Sequence, residues 1–148
     1  MEKDIPLKTT LEVARQKKAC KAAGRALARL SGEIRAGQAT QDIDDLCREL
    51  ILSEGATPSM KGYRDYPRYT CTSVNHVAAH GIPGDYLLVD GDVITVDLTT
   101  EVDGWHGDCA WTYAIGDVSP ESRRLIRAAW ATTIQAIKTA RAGVRMGD

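Results

Sequence analysis

The stretch Asp92-Val93-Ile94-Thr95-Val96-Asp97-Leu98-Thr99-Thr100, followed by the pair Asp103-Gly104 and then by Trp105-His106-Gly107-Asp108, decides how this chain folds. Its side chains alternate. Val93, Thr95, Asp97 and Thr99 fall on one face of an extended segment, and Ile94, Val96, Leu98 and Thr100 on the other. Asp-Gly is a strong signal for a two-residue hairpin turn, because both residues reach positive φ there at small cost. The partner strand then returns from Trp105 to Ile115. A turn at Asp103-Gly104 sets residue 97 opposite residue 110. Asp108 then becomes a diagonal neighbour of Asp97 on the same face, roughly 7 Å away at the backbone. Two carboxylates so placed can share a pair of cations. Asp97 also lies between Val96 and Leu98 in an otherwise apolar strand, where it needs a cation or several donors to offset its desolvation. The competing reading is an aspartate that caps a loop or pairs with an arginine. We adopt that reading for Asp103 in the turn, and for Asp97 taken alone the two stay open.

Working upstream, Tyr69 to Val74 is aromatic and β-branched enough to be a strand, and an aromatic, glycine-containing loop fills Pro58 to Pro67. Ile43, Leu46, Cys47, Leu50 and Ile51 follow the spacing of a helix buried on one face; Thr40 starts it, Asp42 favours its dipole and Gly55 stops it. Before it, a proline-free run rich in Ala, Leu, Lys and Arg reads as a long helix from Thr9 to about Ile34, with Thr9 or Thr10 as its cap. Downstream, Ser119 caps and Pro120 opens a third helix that runs to about Ala140 and stops at Gly143. Arg35-Ala36-Gly37 after the first helix and Arg141-Ala142-Gly143 after the third suggest an internal repeat, with Ala22-Ala23 against Ala128-Ala129 at the same offset; on the three-residue match alone, a repeat and coincidence in an Ala/Arg-rich composition stay open. On that reading Asp148 is an N-cap with no helix after it, and the chain stops as a second copy begins.

Composition bounds the function classes. The chain has 148 residues, 43% hydrophobic and 26% charged, which suits one soluble domain. A net charge of −1 builds no one-signed field, so neither a nucleic-acid nor a membrane-surface partner is expected. No apolar run approaches the roughly 18 residues of a membrane span, and Met1-Glu2-Lys3-Asp4 opens no signal sequence, so a cytoplasmic location is expected. Cys20, Cys47, Cys71 and Cys109 lie far apart with no zinc spacing, and they read as reduced, buried thiols. His80 precedes a turn signal and on local sequence alone is a mobile loop residue rather than a proton donor beside a substrate. His106, on the Asp108 face, reads equally as a partner of that aspartate or as an exposed ring. Tyr63, Tyr66 and Tyr69 read more readily as packing than as a substrate pocket.

Taken together, Gly62-Tyr63-Arg64-Asp65-Tyr66-Pro67, Asn75, His80-Gly81-Ile82-Pro83, Asp90 to Thr99 and Asp103 to Asp108 resemble the type I methionine aminopeptidases in order and spacing. The likeness runs from about Thr9 to the last residue. The Asp97 and His106-Gly107-Asp108 segments belong to the wider pita-bread metallopeptidase group, and the upstream tyrosine and histidine motifs narrow it. The resemblance implies an α+β pita-bread fold in which two similar halves enclose a dinuclear metal centre. Residues 1–148 would form a single truncated domain: the first half-repeat, an antiparallel sheet with long helices on one face, plus the first helix of the second half. It implies two divalent ions, manganese, iron or cobalt, held by Asp97 and a bridging Asp108, with a histidine and two glutamates from the second half. His80 would contact the substrate near the scissile amide. Tyr63, Tyr66 and Cys71 would line the methionine pocket, and Met60 stands there where bacterial members often have a cysteine. The implied activity is removal of the initiator methionine from N-terminal Met peptides or nascent chains by metal-activated water.

Two departures accompany the likeness. Asn75-His76 replaces the usual Asn-Glu, exchanging an acid for a base beside the pocket. Two aspartates alone also leave most coordination positions to water, so weak metal binding and impaired turnover are expected of this chain by itself. A non-catalytic half-fold that binds peptides or proteins is the rival reading. Completion of the site by a homodimer or by a second-half chain are two further expectations, because a half-fold exposes an apolar face, for which a partner, self-association or poor solubility is expected.

Overall fold

The computed structural model describes residues 5–145 and 147. At its centre β1 (Val93–Val102) and β2 (Trp105–Ala114) form the expected antiparallel hairpin. Asp103 and Gly104 take φ of 53° and 79°, the pair of positive values that a tight hairpin turn with the right twist requires. Asp97 faces Ala110 and Thr99 faces Asp108, which is the register set by turning at Asp103-Gly104. The other edge of β1 carries β3 (Thr70–Val74), with Cys71 opposite Asp97, and a two-residue strand β4 (Thr57–Pro58), opposite Glu101 and Thr100. The sheet is antiparallel throughout. β4 lies inside what the sequence presents as the start of a loop, because Pro58 argues against a strand; a proline is tolerated here since β4 is an edge strand, and the next bond to β1 comes from the Ser59 N–H to the Thr99 carbonyl at 3.0 Å.

One face of the sheet is the core. Ile94, Val96 and Leu98 are wholly buried, each stabilising the fold by about 1.5–3 kcal/mol relative to exposure. They are covered by α1 (Thr10–Leu30) over the hairpin and α2 (Thr40–Ser53) over β3 and β4. The buried side of α1 is mostly alanine, Ala19, Ala22, Ala23 and Ala26 with Leu27 and Leu30, so the helix backbone comes close enough for side chains of the sheet to reach it. The Thr100 hydroxyl donates to the Ala19 carbonyl at 2.9 Å, and the Tyr113 hydroxyl to that of Leu27 at 2.7 Å. Tyr113→Phe keeps the ring and removes only the latter bond, so a loss of about 1 kcal/mol is expected, read as a melting temperature lower by about 2–4 °C.

The helix ends follow their capping chemistry. The Thr9 hydroxyl accepts the Glu12 N–H at 3.3 Å, and the Glu12 carboxylate accepts the Thr9 N–H at 2.7 Å, a complete capping box. α1 ends at Leu30, not near Ile34. The Ser31 hydroxyl donates to the Ala28 carbonyl at 2.6 Å, and the Leu30 carbonyl accepts the N–H groups of both Glu33 and Ile34, which closes a turn where the helix would have continued. α2 begins at Thr40, with Asp42 accepting the Ala39 N–H at 3.2 Å. α3 (Pro120–Thr139) is capped by Ser119, whose hydroxyl accepts the Ser122 N–H at 3.1 Å. None of its described residues is buried, and Leu125, Trp130 and Ile137 are largely exposed. Among the described residues no helix is long and apolar enough to cross a membrane. All four cysteines are free; Cys47 and Cys71 are buried as expected, whereas Cys20 is exposed and Cys109 half-buried. Asp148, read from the sequence as an N-cap, lies outside the described residues, as do Met1 to Asp4.

Candidate functional site

The face of the sheet turned away from α1 and α2 carries, on three adjacent strands, Cys71 and Ser73, then Thr95, Asp97 and Thr99, then Asp108, Ala110 and Thr112. Asp97 is half-buried and Asp108 exposed. Burial, then the negative charge of Asp108 and a hydrogen bond with it, raise the pKa of Asp97 from its ordinary value, while His80 pulls in the opposite direction. Asp108 also accepts the Thr99 hydroxyl at 3.2 Å, which ties its carboxylate to the strand that carries Asp97. His106 does not bond to Asp108. Its Nδ1 lies 3.2 Å from the Ser59 hydroxyl, and its carbonyl accepts from the Gln16 side chain.

Beside Asp97 the sequence brings a second cluster together. The Tyr66 hydroxyl donates to the Thr70 carbonyl at 2.9 Å and lies 3.4 Å from the Gly81 carbonyl. Burial, then a hydrogen bond with Cys71, push the Tyr66 pKa well up. Burial also raises that of the Cys71 thiol, against the Tyr66 bond, with Asp97 adding to the rise. Both groups are neutral at pH 7, and the thiol packs as a small apolar group. His80 is held at φ 57° by the residue after it: the Thr72 N–H donates to the Gly81 carbonyl at 2.8 Å, and the Gly81 N–H to the Ser73 hydroxyl at 3.2 Å. A Cβ at Gly81 would fall 2.2 Å from the Thr72 carbonyl oxygen, so only glycine allows this docking. Met60 is half-buried, its carbonyl accepting the Tyr63 N–H at 3.0 Å. Tyr63 is 65% exposed, with the Arg64 guanidinium 5.3 Å from its ring centre. Neither is hydrogen-bonded to the aspartate pair.

Two buried carboxylates support this face from behind. Asp44 of α2 is 0% exposed and accepts the Thr70 N–H at 2.7 Å, the Thr70 hydroxyl at 2.8 Å and the Tyr69 N–H at 3.0 Å. Asp92 accepts Asn75 Nδ2 at 2.8 Å, the Val89 N–H at 2.9 Å and the Tyr86 hydroxyl at 3.1 Å. Burial opposes its charge, yet these bonds outweigh it and hold Asp92 below its ordinary pKa. Asn75 closes the ring by accepting the Val93 N–H at 2.9 Å and donating its own to the Val93 carbonyl. The loop that bears His80 is thus fixed to the first residue of β1.

Among the described residues no group of three or more His, Cys, Asp and Glu side chains is assembled for a metal. The donor chemistry of Asp97 and Asp108 nevertheless fits divalent cations. Both are oxygen donors, and the raised pKa of Asp97 marks negative charge that the surrounding protein leaves uncompensated.

The model of metallopeptidase family M24 matches residues 14–148. The chain belongs to metallopeptidase family M24. It is 34% identical to a methionine aminopeptidase of Rickettsia prowazekii and 38% identical to one of Helicobacter pylori, in each case over 97% of its own length. It spans 56% and 57% of those two proteins, somewhat more than half of each. The crystal structure of the Rickettsia prowazekii enzyme superposes on 98% of this chain with a TM-score of 0.94, and that of a Thermotoga maritima methionine aminopeptidase does the same at 34% identity. A prolidase from Pyrococcus furiosus, at 22% identity and a TM-score of 0.76, shares the fold. The pita-bread expectation holds, with the chain covering 58% of the Rickettsia prowazekii structure.

In this M24 chain the residue that sequence reading passes over is Asp44. It lies three positions before Cys47 and seven before Ile51, inside the buried stripe of α2. A carboxylate at a core position of an amphipathic helix is the available signal, since such a group must find donors. The Asp92 ring carries no such mark, because its members are distributed from Asn75 to Val93 across a loop.

Proposed function

We propose that this M24 chain carries the substrate pocket and two metal ligands of a methionine aminopeptidase, an enzyme that removes an N-terminal methionine. The observation that supports it best is the meeting of the Asp97–Asp108 pair with the Tyr66–Cys71 cluster on one face of one sheet. Asp97 and Asp108 would hold a pair of divalent ions, manganese, iron or cobalt, which when bound polarise a carbonyl and acidify water. The reading requires further ligands, from a second chain or from sequence outside these 148 residues.

The chain's own residues do the rest. The neutral thiol of Cys71 and the ring of Tyr66 would wall a recess for an unbranched thioether side chain, which Met60 and Tyr63 would complete. The Tyr66 hydroxyl is turned onto backbone carbonyls and does not compete for the substrate amine. His80, kept in place by Gly81, would donate a hydrogen bond at the scissile amide, and its position near Asp97 favours the carboxylate form of that residue. Peptides that begin with methionine are the substrates, and a cytoplasmic place of action belongs to the same reading.

The test is release of free methionine from a Met-Ala-Ser peptide in manganese buffer, by the chain alone and by the chain mixed with the remaining portion of a relative. Release in either tube, lost on chelation, supports the proposal. Peptide binding without release in both, unaffected by chelator, would replace it with a non-catalytic binding module.

A further inference from the structure

We propose that Asp44 is the positioning residue that sets the side-chain selectivity of the Tyr66–Cys71 recess; the proposal rests on reading those two residues as pocket walls. Asp44 sits on α2, behind the sheet, and touches no part of the recess itself. It is wholly buried, and none of the ion pairs among the described residues involves it. Its charge is met by one dipeptide: the Tyr69 N–H lies 3.0 and 3.3 Å from its two oxygens, and the Thr70 N–H and hydroxyl lie 2.7 and 2.8 Å from Oδ1.

From Thr70 the linkage runs straight into the recess. The Tyr66 hydroxyl donates to the Thr70 carbonyl at 2.9 Å, and Cys71, the next residue, is the cross-strand partner of Asp97. Tyr66 also reaches the Gly81 carbonyl, so the His80 loop is referred to the same point. An apolar residue at position 44 could fill the volume beside Ile43 and Cys47. It could not accept the Tyr69 and Thr70 N–H groups, and Thr70 is the residue whose carbonyl holds the Tyr66 hydroxyl beside Cys71. A buried carboxylate without a cation is a costly way to anchor a strand, and here three donors from a single turn offset that cost. The width of the recess, and so its preference for a long thin side chain over a short one, is thereby set from the opposite side of the sheet.

The experiment uses the 148-residue chain with manganese and compares methioninamide with alaninamide by NMR shift titration. Variants are Asp44→Asn, which keeps an acceptor for Thr70 but turns an amide toward the Tyr69 N–H, and Thr70→Val, which removes only the hydroxyl contact and keeps the residue's shape. Alkylation of Cys71 by iodoacetamide and amide exchange at Val96 are followed in the same samples. In the wild type a preference for methioninamide of about tenfold or more is expected, the scale of a few buried methylene equivalents. In both variants that preference falls toward unity with alaninamide affinity unchanged, and Cys71 alkylation accelerates by about tenfold while Val96 exchange stays as it was. Retained preference in both variants overturns the proposal. So does a parallel rise at Cys71 and Val96, which marks a general stabilising residue. A wild type that does not distinguish the two amides overturns the pocket reading and the selectivity role together, and differs visibly from failure at Asp44 alone.

Discussion

Asp97→Asn and Asp108→Asn are each expected to weaken manganese binding by about tenfold or more, because even partners outside the coordination sphere change affinity on that scale. In the metal-free chain the same substitutions are expected to raise the melting temperature. The two effects have one cause. Burial and the charge of Asp108 raise the Asp97 pKa, so the folded state holds a proton there more tightly than the unfolded chain does. The charged form therefore costs stability at neutral pH, and the cost disappears as pH falls through the raised pKa toward the ordinary carboxylate value. Like charges on neighbouring strands cost up to about 1 kcal/mol, which for a chain of this size corresponds to a rise of about 2–4 °C on removing one of them. A cation does for the wild type what the amide does for the variant, so added manganese raises the wild-type melting temperature and leaves Asp97→Asn nearly where it was. Calorimetric titration and thermal melts in chelator at pH 7 and pH 5 check both halves. Wild-type affinity in both variants would remove the aspartates from the metal site.

That pair is legible in the sequence because a hairpin obeys arithmetic. Asp103-Gly104 fixes the turn, the turn fixes which residues face one another, and period-two alternation then settles which side each takes. Thr9 and Ser119 are legible for a similar reason, since a cap acts within three residues of itself, whereas at α2 the N-cap is Ala39 and not Thr40, and Asp42, expected only to favour the dipole, accepts the Ala39 N–H. The features that escape are those decided at long range. Asp44 acts on residues 25 and 26 positions away, and Asn75 on Asp92, 17 away. The end of α1 differs from expectation because composition from Ser31 to Ile34 permits a helix, while the Ser31 hydroxyl and the shared Leu30 carbonyl form a turn instead. Of the residues assigned to the site, Asp97, Asp108, Tyr66 and Cys71 are drawn together by contacts within the sheet or next to it. Tyr63 stands exposed and Met60 half-buried, since nothing among the described residues folds over them.

Gly107→Ala is expected to lower stability by about 3 kcal/mol or more, at the upper end of what overpacking costs. A Cβ at position 107 would lie 2.4 Å from the Ala19 carbonyl carbon and the Cys20 nitrogen, and 2.5 Å from the Ala19 oxygen. These are backbone atoms of α1, not the end of a side chain that could swing aside. The helix is moreover pinned at that point, because the Thr100 hydroxyl donates to the same Ala19 carbonyl. Gly24→Ala, further along α1, provides the contrast: a Cβ there meets nothing within 4 Å, and the substitution is expected to stabilise by about 0.5–1 kcal/mol through helix propensity. Denaturant melts of the two variants should thus move in opposite directions. The functional consequence follows from strand alternation. Gly107 turns to α1 and Asp108 to the site, so relieving the clash requires β2 to move away from the helix and carries Asp108 with it, and manganese affinity should fall with stability in Gly107→Ala. Loss of stability with unchanged affinity would mean that the strand yields elsewhere and that Asp108 is held by the Thr99 hydroxyl alone.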